Sequence, residues 1–191
     1  MPVDRYYIES FLTRHRSDVR GRVLEVANDL YASRFGHDVE RIDVLNVVEG
    51  NPRATIVADL VDAPGIHDAS YDCVILTQTL QFIHDVPAAI ATAGRILAPD
   101  GVLLATVPGI SKVSSYDAER WGDHWRFTAQ SVRSLIERVF SHADITIESY
   151  GNVLAATAFL YGLAAEELTD VELQTQDPWF PVTIAIRVAV R

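Results

Sequence analysis

Three carboxylates fall within or at the ends of short apolar runs: Glu25 in RVLEV, Asp43 in ERIDVL and Asp59 in ATIVADL. Carboxylates accept hydrogen bonds from amines and hydroxyls, so strand-end acids brought to one sheet edge can hold a polar ligand. Asp43 follows Glu25 by 18 residues. That is near the spacing at which a second-strand carboxylate meets ribose hydroxyls in dinucleotide-binding sheets. Thr77, Gln78 and Thr79 leave the end of a further buried run, YDCVIL, and add hydroxyl and amide groups. His124 lies in the aromatic stretch from Trp121 to Phe127, and an imidazole exchanges protons near neutral pH. Each of these has a plainer reading beside it. A strand-end acid is often a turn residue or a helix cap, and an aromatic segment such as WRFT can simply dock a loop on the core.

The elements that must position these groups follow from pattern. Asp4 to His15 has Tyr7, Ile8, Phe11 and Leu12 on one side, the spacing of an amphipathic helix. Strands are expected at 22–26, 40–45, 54–60 and 71–76, with a short helix ending near Gly36. A helix from about Asp85 to Leu97 leads through Ala98-Pro99-Asp100-Gly101 into the buried strand Val102 to Pro108. Strand, helix, turn and strand in that order make a βαβ unit of a parallel sheet, whose ligands sit outside the carboxyl ends of the strands. A long connection runs from Gly109 to about Phe127, and Thr128 is placed to cap a helix reaching about Val139. Strand Ala143 to Tyr150, apolar helix Val153 to Leu168 and strand Val182 to Val190 close the chain, the two strands pairing antiparallel at one edge. The expected fold is α/β: a doubly wound, mostly parallel seven-stranded sheet with an antiparallel last strand, in one domain over residues 1–191. About ten residues separate the second and third strands, too few for a crossover helix. That thin cover predicts an exposed face, and a homodimer is one way to bury it.

Composition narrows the partners. Asp plus Glu number 26 against 16 Lys plus Arg, a formal net charge of −10. Such a surface repels phosphate backbones and argues against nucleic acid. The single cysteine, Cys73, sits inside a buried run and suits a small apolar role better than a nucleophilic one. The start of the chain lacks the basic and apolar regions of a signal peptide, and Val153 to Ala165 is too short for a membrane span. A cytoplasmic protein with no membrane partner is expected. No His-x-x-x-His or similar spacing suggests a metal.

Taken in order, VLEVA (Val23 to Ala27), Asp43, VADL (Val57 to Leu60), SYDCVI (Ser70 to Ile75), TLQFIHD (Thr79 to Asp85), RILAPDGVLLATVPG (Arg95 to Gly109) and HWRFT (His124 to Thr128) resemble the class I methyltransferases that use S-adenosylmethionine. The resemblance covers about Arg22 to Phe140 and implies a Rossmann-like methyltransferase fold with S-adenosylmethionine as cofactor. It implies that Glu25 accepts from the cofactor's ammonium and that Ala27 lines the loop around its methionine part. Asp43 is implied at the ribose, Asp59 and Leu60 at the adenine, and Thr77 and Gln78 facing the ligand. Methyl transfer to a small-molecule acceptor follows, with a hydroxyl of a sugar or natural product expected and His124 as its base. Arg126 is open to two roles, holding an acceptor carboxylate or pairing with Asp123. Tyr6 and Tyr7 either close over the cofactor or join the core. Asp72 starts its strand far from the ligand edge and is expected to be structural.

The chain departs from that family where glycines normally follow the first strand. The run here is Glu25-Val26-Ala27-Asn28-Asp29-Leu30-Tyr31, with no glycine before Gly36. Glycine serves such loops by close backbone approach and positive φ. The departure keeps a second reading in view, a non-methylating cofactor-binding or scaffolding relative. It also weakens a nicotinamide-dependent reductase, which needs Gly-x-Gly-x-x-Gly after the first strand.

Overall fold

A computed structural model describes residues 1–191. Seven strands form one sheet in the order β3-β2-β1-β4-β5-β7-β6. They are β1 (Gly21–Val26), β2 (Val39–Asn46), β3 (Ile56–Val57), β4 (Tyr71–Thr77), β5 (Leu97–Pro108), β6 (Asp144–Tyr150) and β7 (Thr183–Ala189). The first five are parallel, and β7 inserts antiparallel between β5 and β6. The order reverses between β1 and β4, the switch point of the sheet.

Side chains alternate across the strands and so face two different cores. Val74, Leu76, Leu103 and Ile186 pack under α3 (Val86–Ile96) and α5 (Ala129–Val139). Val23, Cys73, Ile75 and Leu104 pack under α1 (Val3–Arg14), α2 (Leu30–Phe35) and the helices that follow β6. Tyr7 is buried here, with its hydroxyl donating to the Leu173 carbonyl at 3.0 Å, so it belongs to the core. Cys73 is fully buried, and burial pushes its thiol pKa up, which leaves no reactive thiolate. α3 begins where Asp85 accepts from the Ala88 amide at 3.0 Å, and α5 begins in a capping box between Thr128 and Ser131. Each such cap contributes about 1 kcal/mol and fixes where its helix leaves the strand ends.

Several expected boundaries shift. The third strand keeps only Ile56–Val57 of the seven residues of its run, because Thr55 turns its hydroxyl to Asp43 and Asp59 already begins a turn. The turn at 98–101 is absorbed into β5 as an irregularity, with Asp100 at φ 60°. The Gly109–Phe127 connection is not structureless: it holds α4 (Ser115–Trp121), started by Ser114 accepting from the Asp117 amide. The last long helix stops early. α6 (Val153–Tyr161) ends at Gly162, whose φ of 78° is the left-handed C-cap geometry, and α7 (Asp170–Gln174) follows. On α6 the outward residues Val153, Leu154, Leu160 and Tyr161 are exposed and apolar, as are Val47, Val48 and Val57 beside the thin β2–β3 connection. No helix is long and apolar enough to cross a membrane.

Candidate functional site

A cavity of about 650 Å³ opens at the carboxyl ends of β1, β2 and β4, at the switch point. Its inner wall is Val26, the last residue of β1, with Ala27 and Asn28 after it, and Leu45 to Val48 at the end of β2. A second wall is Ala58 to Val61 after β3, and the floor is Thr77, the last residue of β4, with Gln78 and Thr79 after it. Phe82 to Asp85 and the α4 side chains Asp117, Arg120 and Trp121, with His124, close the outer end. Volume and lining suit a nucleoside-sized ligand in a mostly apolar slot with a few polar groups. A second cleft of about 750 Å³ lies between α1, the end of β6 and α7. Its polar groups already serve one another: Arg14 binds Glu148, which also accepts from the Tyr150 hydroxyl. The first cavity is therefore the better site, despite its smaller volume.

Of the residues expected from sequence, Ala27, Asp59, Leu60, Thr77, Gln78 and His124 all line this one cavity. Asp59 accepts from the Val61 amide at 2.9 Å and remains exposed for a further partner, while Leu60 is buried beside it. Ala27 sits where the first glycine was expected and has φ 68°, in the left-handed region that an L side chain rarely takes. Asp29, at the second glycine position, has an ordinary φ of −107°. Tyr31, at the third, is buried in the α1–α2 core. Only one of the three glycine positions therefore demands unusual backbone, and alanine holds it.

Gln78 is also left-handed, at φ 47°. Its amide N–H donates to the Thr106 carbonyl at 2.8 Å. Its side-chain Nε2 is shielded from solvent and has no protein acceptor, although it belongs to a residue lining the cavity. A buried donor left unpaired costs about 1–3 kcal/mol, which this side chain bears in the structure as it stands.

Two carboxylates expected at the ligand, Glu25 and Asp43, do not line this cavity. Glu25 is 1% exposed and is absent from the cavity wall. One of its oxygens accepts from the Ala32 amide at 2.7 Å, and both accept from the Tyr31 amide at 3.1 Å. It thus satisfies the free N–H groups at the start of α2. Burial pushes its pKa up to about 7, outweighing the amide bonds that favour the charged form. Asp43 sits in mid-β2, opposite Leu24, and is also buried away from the cavity. Its carboxylate accepts from Arg41 at 2.9 Å, the Thr55 hydroxyl at 2.8 Å and the Tyr71 hydroxyl at 3.1 Å. The polar residue that does reach the cavity from β2 is Asn46, its last residue, 8% exposed. The signal was its position at the strand end; charge drew attention to Asp43 instead. Asp72 keeps its structural role, gripping Arg22 through both carboxylate oxygens at 3.0 and 3.1 Å.

The outer wall is latched to the β4–α3 connection. The His124 amide donates to the Gln81 carbonyl, and Trp125 Nε1 to the Ile83 carbonyl, both at 2.9 Å. The His84 and His124 rings meet edge to face, centroids 5.5 Å apart. Arg126 pairs with Asp123 at 2.6 and 3.0 Å and donates to the Lys112 carbonyl at 2.6 Å, which decides between its two expected roles. That guanidinium holds the Asp123 carboxyl below its usual range. His84, Asp117 and Arg120 join the cavity by this docking. No group of three His, Cys, Asp or Glu side chains is placed to hold a metal ion.

Comparison with known proteins agrees with this architecture. A family described as a methyltransferase domain matches residues 10–145. No curated protein matches the chain. A SAM-dependent methyltransferase from Archaeoglobus fulgidus superposes with a TM-score of 0.62 at 11% identity, covering 97% of this chain and 94% of that one. Phosphoethanolamine N-methyltransferase 2 of Haemonchus contortus, solved with phosphomonomethylethanolamine and S-adenosylhomocysteine, gives 0.61 at 15% identity over 97% of this chain and 52% of its own. The YcgJ protein from Bacillus subtilis gives 0.57 at 12% identity, covering 96% and 99%.

Proposed function

This chain belongs to the methyltransferase-domain family, and from that premise we propose that its switch-point cavity binds S-adenosylmethionine and methylates a hydroxyl of a small molecule, a sugar or natural product, at the end under α4. The residues suit the cofactor. Leu45, Val47, Val48 and Leu60 offer apolar faces for a purine, and Asp59 an acceptor for its exocyclic amine. The Asn46 amide offers both donor and acceptor to ribose hydroxyls.

Bound there, S-adenosylmethionine supplies an electrophilic methyl group on a sulfonium. The chain's part is then alignment, exclusion of water and removal of one proton. The walls after β1 and β4 set the floor, and α4 with Trp121 covers the reacting end. His124 is exposed at the mouth with its backbone fixed by Gln81, and is assigned as the base that takes the acceptor's proton. The observation that carries the reading is that Ala27, Asp59, Leu60, Thr77, Gln78 and His124, scattered over about a hundred positions, surround one cavity. Isothermal calorimetry with S-adenosylhomocysteine tests it: saturable binding is expected, and none at millimolar ligand would reject the site.

The replaced glycines favour one competing reading, a cofactor-binding relative that transfers nothing. Release of S-adenosylhomocysteine during incubation with S-adenosylmethionine and a panel of hydroxylated acceptors would remove it.

A further inference from the structure

We infer that Asn51, in the β2–β3 connection, is a positioning residue that performs for the cofactor loop what glycines otherwise do. The inference rests on the cavity being the S-adenosylmethionine site. Ala27 occupies a left-handed conformation that its Cβ disfavours, so the peptide must be held from outside. Its N–H donates to the Leu45 carbonyl at 2.9 Å, and its carbonyl accepts from Asn51 Nδ2 at 2.7 Å. The same Nδ2 reaches Asn46 Oδ1 at 3.4 Å, while Asn46 Nδ2 donates to the Val48 carbonyl at 2.6 Å. These contacts fix which end of the Asn46 amide faces which way, and they leave a second lone pair and a second N–H for a ligand. Arg53, two residues on, pairs with Asp29 across the same gap. The connection too short for a crossover helix thus works as a strap over the loop after β1.

The two ends of the Asn51 side chain have separate duties. Oδ1 accepts from the Arg53 amide at 3.0 Å and shapes the local turn, whereas Nδ2 alone holds the cavity wall. Asn51→Asp keeps the turn acceptor and removes the donor, so it separates a role in the wall from a role in folding the connection. A loop that is competent for only part of the time lowers apparent affinity by that fraction.

The experiment compares wild type, Asn51→Asp, Ala27→Gly and the double variant by calorimetry with S-adenosylhomocysteine, with thermal unfolding alongside. Asn51→Asp is expected to bind about tenfold more weakly, the effect of one lost hydrogen bond, with its unfolding midpoint within a few degrees of wild type. In turnover, KM for the methyl donor is expected to rise while kcat holds. The double variant is expected to recover part of the lost affinity, because glycine takes positive φ without strain. Wild-type affinity in Asn51→Asp would overturn the inference while leaving the site intact, and no recovery in the double variant would overturn its link to Ala27. A wild-type protein that binds no S-adenosylhomocysteine would overturn the reading of the cavity and this inference with it.

Discussion

Replacing Glu25 by glutamine should flatten the pH dependence of stability in a defined window. The carboxyl is 1% exposed, and its pKa moves from 4.5 to about 7 on folding. The native state therefore holds this proton more tightly than the unfolded chain. Stability from this group is fully present below the unfolded pKa near 4.5, falls as pH rises towards 7, and stays low above it. At 1.36 kcal/mol per unit, the shift corresponds to about 3 kcal/mol across the window. Glutamine carries no charge to desolvate. With its Oε1 at the position of Glu25 Oε2 it can still accept from the Ala32 and Tyr31 amides, while its NH2 faces the Tyr31 N–H where Oε1 accepted at 3.1 Å, a cost that is the same at every pH and leaves the pH dependence unaffected. Urea unfolding of both proteins from pH 4.5 to 8 should show Glu25→Gln gaining on wild type by up to about 3 kcal/mol as pH rises. Parallel curves would refute the argument. A shared transition with alanine as the substitute would not rescue it, because alanine leaves buried amides unpaired, which costs about 1–3 kcal/mol at every pH. The same Gln variant should bind S-adenosylhomocysteine within about threefold of wild type, since Glu25 supports α2 and does not line the cavity.

His124→Ala should lower kcat about a hundredfold, the usual scale of a lost general base, while S-adenosylhomocysteine affinity measured by calorimetry changes little; an unchanged kcat would move the proton transfer elsewhere. Asp59→Ala should weaken S-adenosylhomocysteine binding about tenfold through loss of one acceptor, with adenosine as a smaller probe showing the same loss. The exposed apolar face of α6 is where self-association is expected: light scattering at high concentration should give twice the 21.2 kDa chain mass, and Leu160→Glu should return the single mass. A wild-type monomer under those conditions would remove the dimer.

Much of the frame was legible along the chain. Strand and helix periodicities placed β1, β2, β4, α3 and α5 within a few residues, because each element buries a face that its own pattern displays. Thr128 and Asp85 marked helix starts since capping is a local hydrogen bond between a side chain and amides three residues on. Strand ends and motif order likewise pointed to Asp59, Leu60, Thr77, Gln78 and His124, which the fold brings around one cavity. What local pattern could not tell was where a side chain turns when several partners compete for it. Glu25 and Asp43 had the right charge but found amides, hydroxyls and an arginine within the fold, and burial then fixed them there. Asn46 and Asn51 carry no charge and no motif; they matter because β2 and its connection bring them against Ala27. Pattern along the chain sets the order of the elements and the sheet edge at which the cavity opens. Which polar atoms at that edge remain unspent depends on the folded sheet, because hydrogen bonding is settled by distance in space, and neighbours such as Ala27 and Asn51 meet only when the sheet closes.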